Sequence, residues 1–394
     1  MIEKDEIIYL DNNATTQVDP EVVEVMLPYL RDYYGNPSSL YRFGSQVGKA
    51  IEKAREQVAA LLGCHPEEVV FTSCGTESNN TAIESGLRVD RDRPDLVTTQ
   101  VEHSAVVKHG EKLSRDGRRV TWIGVDGEGR LDVDGLKDAV DDETGVVSIM
   151  WANNETGVLF PISEIAEQLA DSGVFFHTDA VQAVGKIPLN VSELPIHFLS
   201  LSGHKLHCPK GVGALYVSRK ARFYPYLIGG GQENGKRGGT ENVASIVGLG
   251  KAAELAMATM EHENTVVRKM RDDFEQRILA EVSGVQVNGG GAERLPNTSS
   301  LAFDGVDSEG LLIVLDKDGI CASAGSACTT GSLTPSHVLT AMGISAERAH
   351  SSLRFSFGRF NRPEELDNIV EMVKAGVEKI RSLRPADGSP VMIS

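Results

Sequence analysis

Cysteine is scarce in this chain of 394 residues. The five thiols, Cys64, Cys74, Cys208, Cys321 and Cys328, are odd in number and include no C-x-x-C pair. This argues against a disulfide framework or a standard zinc site, and a reducing, cytoplasmic location is expected. Long apolar runs are also lacking, since none approaches the ~18 residues of a membrane span. The acidic first residues do not resemble a signal peptide, so secretion is not expected.

Positive charge is in deficit as well. The chain carries 39 Lys and Arg against 56 Asp and Glu, a formal net charge of −17. This balance argues against nucleic-acid wrapping and against binding to anionic lipid. Hydrophobic residues make up 41% and charged residues 24%, which is typical of globular proteins. The length predicts two domains, each with its own core, and the composition favours an enzyme.

Short β-branched runs alternate with segments of helical period from about residue 69 to residue 217. Apolar strands of this kind, alternating with helices, predict a mostly parallel α/β sheet flanked by helices. The strand candidates are residues 69–71, 96–98, 120–123, 146–150, 174–176 and 198–201. Helix-forming residues then run almost without a break over residues 242–282. Beyond them, strands at 299–303 and 352–357 and a last helix near residues 366–380 predict a smaller α+β domain.

One acid and one lysine follow neighbouring predicted strands. Asp179 ends the run FFHTD, and Lys205 comes 26 residues later in SGHK. The carboxyl ends of parallel strands bind ligands, so both side chains are expected in one crevice. An acid facing a pyridine nitrogen and a lysine able to form an imine are what a pyridoxal phosphate enzyme needs. Taken singly, Lys205 is equally compatible with a solvated surface position and Asp179 with a helix cap.

Small residues suggest a phosphate cradle and a reactive thiol. The run TSCGTE at residues 72–77 joins a strand to a helix start, where backbone N–H groups and a hydroxyl bind an anion; the alternative is an ordinary N-cap. Ser202 and His204 offer further donors, and residues 238–242 open a second helix. Glycines and small residues surround Cys328, as an accessible nucleophile requires, although a flexible loop without chemistry fits equally well.

Seven motifs together resemble the fold-type I, class V pyridoxal phosphate enzymes. Within them, the match is to the group I cysteine desulfurases of the NifS type, and it runs nearly end to end. The motifs are YLDNNATT at 9–16, GNPSS at 35–39, TSCGTES at 72–78, WANNETG at 151–157, HTDAVQ at 177–182, SLSGHK at 200–205 and GSACT at 325–329. One departure is Tyr41, where many relatives carry His; it lies outside the cofactor motifs.

The resemblance implies how the cofactor would be held. Lys205 would bind its aldehyde, Asp179 would pair with the pyridine nitrogen, Gln182 would bond the phenolic oxygen, and His103 would stack on the ring. The helix-start role remains the alternative for His103. The remaining residues implied to hold the cofactor or its phosphate are Gly75, Thr76, Asn154, Ser202, Gly203, His204 and, from the neighbouring subunit of a homodimer, Thr240.

The resemblance also implies a reaction and its partners. Asn154 and Arg354 would grip the carboxylate of L-cysteine, Lys205 would move its Cα proton with help from His103, and Cys328 would take the sulfur as a persulfide, leaving L-alanine. The acceptor would be an iron–sulfur scaffold of the NifU or IscU type, linked to nitrogen fixation. A transient [2Fe-2S] cluster shared through Cys328 is a further implication.

The implied domains are residues 16–258, binding the cofactor, and 1–15 with 259–394, carrying the cysteine loop.

Three alternatives remain open at this stage. An aminotransferase of the same class would use Lys205 and Asp179 but not Cys328. A selenocysteine lyase differs only in substrate. A catalytically silent subunit that binds a scaffold is disfavoured by the intact set of site residues.

Overall fold

The computed structural model describes residues 7–324 and 335–383. The strands in these ranges are β1 (Ile8–Tyr9), β2 (Val69–Thr72), β3 (Asp95–Thr99), β4 (Val120–Ile123), β5 (Thr144–Ser148), β6 (Phe175–Asp179), β7 (Phe198–Ser202), β8 (Gly213–Val217), β9 (Val285–Val287), β10 (Thr298–Phe303), β11 (Ile320–Cys321), β12 (Ser323–Ala324) and β13 (Ser352–Ser356). The α-helices are α1 (Pro20–Arg31), α2 (Arg42–Leu62), α3 (Gly75–Val89), α4 (Ser104–Arg115), α5 (Val133–Ala139), α6 (Ile162–Leu169), α7 (Val243–Ala258), α8 (Met260–His262), α9 (Arg268–Glu281), α10 (Ser308–Lys317), α11 (His337–Ala341), α12 (Ala346–His350) and α13 (Leu366–Leu383).

A seven-stranded sheet is the centre of the larger part of the chain. Its order is β2-β8-β7-β6-β5-β3-β4. The pairs from β7 to β4 are parallel, whereas β8 is antiparallel to both β2 and β7. Strands β5 and β7 are buried along their whole length, as expected for strands covered on both faces. The parallel strands therefore present their carboxyl ends along one edge.

Helix α2 forms because its apolar residues recur every three or four positions. Val47, Ile51 and Val58 are buried on that face, and the helix ends at Gly63, whose φ of 70° favours glycine. Its neighbour α7 packs very closely against it. A Cβ atom added to Gly250 would lie 2.6 Å from the Cα atom of Ala54, so the contact requires glycine.

A second, smaller set of strands packs around its own apolar cluster. Strands β12-β13-β10-β9 form an antiparallel sheet, and β1 pairs in parallel with β11. The cluster is rich in phenylalanine, and Phe274 contacts the rings of both Phe355 and Phe357. Leu10, next to β1, belongs to the same cluster. The fold class, a mostly parallel sheet flanked by helices with a smaller α+β part, is confirmed, while the domain boundaries at residues 15 and 258 stay predictions.

Two sequence-based expectations need correction. The helix over residues 242–282 is interrupted at Thr259, and the segments on either side meet at a bend of 56°. The hydroxyl of Thr259 donates to the carbonyl of Leu255 at 2.9 Å, a back-bond that bends helices, and a π-helical turn follows at Glu263–Val267. Strand β8 was not among the strand candidates.

In the ranges given above, no single helix has the length and apolar character needed to cross a membrane. One bent pair, Val243–Ala258 with Met260–Glu281, meets those two criteria only when taken together.

Candidate active site

Asp179 and Lys205 lie at the same edge of the large sheet. Asp179 is the last residue of β6, and β7, its parallel neighbour, ends at Ser202. One turn of 3₁₀ helix, Gly203–Lys205, follows directly. Both residues therefore stand at the carboxyl ends of two neighbouring parallel strands, where ligands bind in folds of this type.

The amine of Lys205 is largely buried and held by backbone carbonyls. It donates to Ala14 at 2.6 Å and also to Asn13. Burial and the charges of Arg354 and Lys186 together lower the pKa of Lys205 to about 7, against the opposite effect of Asp11 and Asp179. An amine with this pKa is partly neutral at physiological pH, as a nucleophile or general base requires.

The carboxylate of Asp179 is fixed through both oxygens. Oδ2 accepts from the side-chain amide of Asn79 at 2.6 Å, and Oδ1 accepts from the backbone N–H of Val181 at 3.0 Å. Asn79 is a site residue that sequence reasoning missed, although it directly follows the TSCGTES motif at residues 72–78. Its hydrogen bond orients the carboxylate for a cationic partner such as a protonated ring nitrogen.

His103 begins helix α4 as its N-cap. Its Nδ1 accepts from the backbone N–H of Ala105 at 3.1 Å, so the neutral ring carries its proton on Nε2. Burial lowers the pKa of His103, and the nearby charges of Asp179 and Lys205 act on it in opposite directions. His103 therefore caps helix α4. Its ring is neutral, and the Nε2–H group is available beside Asp179 and Lys205.

A candidate phosphate cradle lies between α3 and β7. Gly75 is the first residue of α3, and a Cβ atom there would lie 2.9 Å from Val181 Cγ2 and 3.4 Å from Ser202 Cβ. The hydroxyl of Ser202 is buried and has no hydrogen-bond partner in the described ranges. Such an orphaned hydroxyl beside a helix N-terminus fits an anion.

The other predicted cradle residues differ in their surroundings. Thr76 is exposed, and Gly203 is buried. His204 Nδ1 lies 3.2 Å from the hydroxyl of Thr15, and burial lowers the pKa of His204 to about 4, so its ring is neutral at pH 7. Thr240 is exposed before α7, and its predicted contact concerns a second copy of the chain.

Arg354 lies in β13, and the three nitrogen atoms of its guanidinium group differ in their hydrogen bonding. Nη2 pairs with Asp11 Oδ1 at 2.7 Å, Nη1 donates to the backbone carbonyl of Asn154 at 2.8 Å, and Nε is buried without a partner in the described part of the chain. A guanidinium held in this way is suited to a planar carboxylate. Asp11, its ion-pair partner, was not singled out from the sequence.

Cys328 lies outside the described residues. The strand that precedes it, β12, ends at Ala324 and places Ser323 opposite Arg354 in the ladder with β13. Residues 7–324 and 335–383 contain no group of three or more His, Cys, Asp or Glu side chains suited to a metal ion.

Comparison with known proteins places this site in a family. The family model described as aminotransferase class-V matches residues 8–369. A cysteine desulfurase of Trichormus azollae is 53% identical over 96% of this chain and 95% of that protein. The chain belongs to the cysteine desulfurases of the class-V aminotransferase family.

Other relatives agree with this assignment. The cysteine desulfurase NifS of Azotobacter vinelandii is 52% identical over 96% of this chain and 94% of that protein. A solved structure described as a NifS-like protein superposes with a TM-score of 0.88 at 35% identity, covering 95% of this chain and all of that one. A NifS-like protein from Rickettsia africae gives a TM-score of 0.85 at 34% identity, over 94% and 99% of the two chains.

The enzymes of this family depend on pyridoxal 5'-phosphate, which is therefore the cofactor of this chain. The described residues fit it on structural grounds. The orphaned Ser202 hydroxyl and the Gly75 helix start suit the phosphate, the doubly held Asp179 carboxylate suits the ring nitrogen, and the Lys205 amine suits the aldehyde. The arrangement supports acid–base chemistry at the Cα atom of an amino acid.

Proposed function

We propose that this chain takes sulfur from L-cysteine onto Cys328, releases L-alanine, and passes the sulfur to an iron–sulfur scaffold protein. The observation that carries the proposal is the Lys205 amine, with a pKa of about 7, at the same sheet edge as Asp179. Identity to cysteine desulfurases over 96% of the chain, together with the GSACT motif, supports cysteine as the substrate.

Bound pyridoxal phosphate supplies an aldehyde for the substrate amine and an electron sink for the carbanion formed beside it. Lys205 removes and returns the Cα proton. Asp179, oriented by Asn79, would stabilise positive charge on the ring nitrogen, and the neutral ring of His103 would stack on the cofactor. Gln182 would bond the phenolic oxygen. Gly75, Thr76, Ser202, Gly203 and His204 would hold the phosphate, and Asn154 would also contact the cofactor.

The substrate carboxylate is proposed to bind at Arg354. The buried Nε of this guanidinium has no partner in the described ranges, while Nη2 is already paired with Asp11. A second carboxylate therefore finds at least one donor directed at it. Asn154, whose carbonyl accepts from Nη1, fixes the plane of the guanidinium.

The sulfur-transfer step requires a thiolate at Cys328. This thiolate attacks the substrate sulfur, the Cβ–S bond breaks, and an S–S bond forms on the protein. The β-carbon is reduced as it gains a proton and the bonding electron pair, and the two sulfur atoms share the corresponding oxidation. Overall, one thiol and one L-cysteine become one persulfide and one L-alanine, so atoms and electrons balance.

We further propose the assembly in which this takes place. Thr240 of a second copy would complete the phosphate site, and its exposed position is compatible with a homodimer. A NifU- or IscU-type scaffold would accept the sulfur and transiently share a [2Fe-2S] cluster through Cys328. Relatives named NifS suggest a role in nitrogen fixation, and five cysteines without a C-x-x-C pair favour a cytoplasmic location.

The proposal is tested by replacing the lysine while watching cofactor and product. Lys205→Ala should abolish covalent capture of added pyridoxal phosphate and lower alanine formation from L-cysteine at least about a thousandfold, because nucleophile and base are one group. Lys210→Ala, an exposed lysine just after the same turn, is the matched control and should keep wild-type activity.

The readouts are the visible absorbance of the protein and chromatographic quantification of alanine. Wild-type protein that fails to bind pyridoxal phosphate, or Lys205→Ala protein that forms alanine at the wild-type rate, would contradict the proposal. Repeating the assay with L-selenocysteine measures the preference between the two substrates.

A further inference from the structure

Lys186 is a buried cation that the reaction described above leaves unused. Only 6% of its surface is exposed, and it lies four residues after Gln182 in the turns that follow β6. Its ammonium donates to the backbone carbonyl of Gln182 at 3.1 Å and to the side-chain Oε1 of the same residue at 3.3 Å. Burying a lysine is costly, so its retention beside a cofactor residue calls for a role.

These contacts decide which way the Gln182 amide faces. An ammonium group only donates hydrogen bonds, so the amide oxygen must be the atom turned toward Lys186. The amide nitrogen then faces the other way, where it donates to the carbonyl of Asn13 at 2.9 Å. The same carbonyl accepts from Lys205. The second hydrogen of the amide nitrogen has no partner in the described ranges and is left for an acceptor in the site.

The residues around Lys186 favour its ammonium form and fix its backbone. Lys186 and Glu263 line one small pocket, and Lys205 and Arg359 are also in its wall. The charge of Glu263 favours the ammonium form against the effect of burial. Asn264, in the same π-helical turn as Glu263, donates to the backbone carbonyl of Lys186 at 2.8 Å. The π-helical turn that follows the bend at Thr259 thus holds the backbone at Lys186.

We infer that Lys186 is a positioning residue, which fixes the side-chain amide of Gln182 with its N–H groups directed into the cofactor site. The inference rests on the proposed function, since it assigns the free N–H to the phenolic oxygen of pyridoxal phosphate. Lys186 itself touches neither cofactor nor substrate in this account. Without it, the amide is free to turn its oxygen toward that acceptor, and the two would repel.

The first test replaces the ammonium and follows cofactor binding. Lys186→Met keeps most of the side-chain length and should raise the dissociation constant of pyridoxal phosphate about tenfold. The pH at which the visible band of the bound cofactor titrates should rise by about half a unit or more, because a positive charge that lowers the Lys205 pKa is lost. Arg354, Asp11 and Asp179, which also act on Lys205, are unchanged. Lys137→Met, at an exposed position of α5, is the control.

A double-mutant cycle separates positioning from general destabilisation. In a Gln182→Ala background, Lys186→Met should change the dissociation constant less than twofold, because the group through which it acts is gone. Lys186→Gln, which keeps a donor but can also accept, is the second variant if the Met protein does not fold. It should show the same upward shift of the spectral titration.

Three results would overturn the inference: an unchanged dissociation constant and spectral titration in either Lys186 variant, equal effects of Lys186→Met with and without Gln182, or the same changes in Lys137→Met. Failure of the proposed function is recognised separately, because wild-type protein would then show no cofactor band to titrate.

Discussion

At the residue scale, three of the predicted site residues are each held by a partner side chain that the sequence analysis did not single out. Asp179 is held by Asn79, Arg354 by Asp11, and Gln182 by Lys186. Each partner fixes a donor or acceptor whose orientation the chemistry needs. Substitutions at these partners should therefore alter binding and titration without removing a reacting group.

Asn79→Ala should weaken pyridoxal phosphate binding about fivefold to tenfold. The substitution removes the 2.6 Å hydrogen bond to Asp179 and leaves one carboxylate oxygen unpaired when the cofactor is absent. Fluorescence titration of the apoprotein with the cofactor measures the change. Asn80→Ala, on the next residue of α3, is the control, since its side-chain oxygen has no partner in the described ranges. Equal effects of the two substitutions would contradict the assigned role.

Arg354→Lys should raise the KM for L-cysteine about a hundredfold. Lysine keeps the charge but cannot contact Asp11, Asn154 and the substrate carboxylate at once from one planar group. Steady-state alanine formation measures KM and kcat separately. Arg277→Lys, a half-buried position of α9 that pairs with Glu281 and Asp367, should leave both constants unchanged. A variant with wild-type KM would show that the substrate carboxylate binds elsewhere.

At this scale, the sequence predicts the residues that would react better than the residues that hold them in position. Asp179 and Lys205 stand at the ends of apolar strands, and the end of a parallel strand is a position that can be read from a pattern. Asp11, by contrast, lies more than 300 residues from Arg354, and only the folded ladder of β13 brings them together. Such distant pairings carry no local signal in one sequence.

At the scale of elements, the side chain of His177 in β6 forms hydrogen bonds to the two neighbouring strands of the large sheet. Its Nδ1 lies 2.8 Å from the hydroxyl of Ser148 in β5, and its Nε2 lies 3.0 Å from the hydroxyl of Ser200 in β7. Burial lowers the pKa of His177 to about 3, so the ring is neutral in the folded protein. The bridge lies in the strand that ends at Asp179, and it fixes that strand against its neighbours.

His177→Ala should lower the free energy of unfolding by about 2–4 kcal/mol, since it leaves a cavity and two hydroxyls without their partner. Thermal unfolding of the apoprotein measures the change. His350→Ala, at an exposed position, should leave the midpoint unchanged. A His177→Ala protein as stable as the wild type would show that the bridge contributes nothing.

The same scale shows where pattern reasoning failed. Helix-forming residues over 242–282 predict one continuous helix, but the Thr259 hydroxyl bonds back to Leu255 and the chain turns by 56°. Helix propensity predicts the backbone poorly where tertiary contacts determine its path. Here the side-chain amide of Asn264 donates a hydrogen bond to the backbone carbonyl of Lys186. Helix α2 was predictable because its buried face and the glycine that ends it are local features.

At the scale of the whole molecule, buried neutral histidines make stability depend on pH. Burial lowers the pKa of His177 and of His207 to about 3. Between pH 6.5 and 3 the unfolded chain binds protons that the folded protein does not, so stability is lost as the pH falls through this range. Glu102 acts in the opposite direction, because burial raises its pKa to about 8 and the folded protein holds a proton there.

The net effect between pH 6.5 and 4.5 is a loss of stability as the pH falls, because the lowered pKa values of His177, His204 and His207 outweigh the raised pKa of Glu102. We expect the thermal midpoint of the apoprotein to be clearly lower at pH 5.0 than at pH 7.0. His177→Asn, which cannot titrate, should show a shallower dependence on pH. An identical midpoint at the two pH values would contradict this account.

The central claim is that the sulfur of L-cysteine is transferred to Cys328, and its most direct test is single-turnover alanine formation by the pyridoxal phosphate-loaded enzyme. The account predicts one alanine and one protein persulfide per wild-type site, and at least a hundredfold less alanine from Cys328→Ala. Cys321→Ala, a half-buried thiol in β11, is the matched control and should retain the wild-type yield. Full alanine formation by Cys328→Ala would contradict the claim, because the Cβ–S bond of L-cysteine would then break without this thiol.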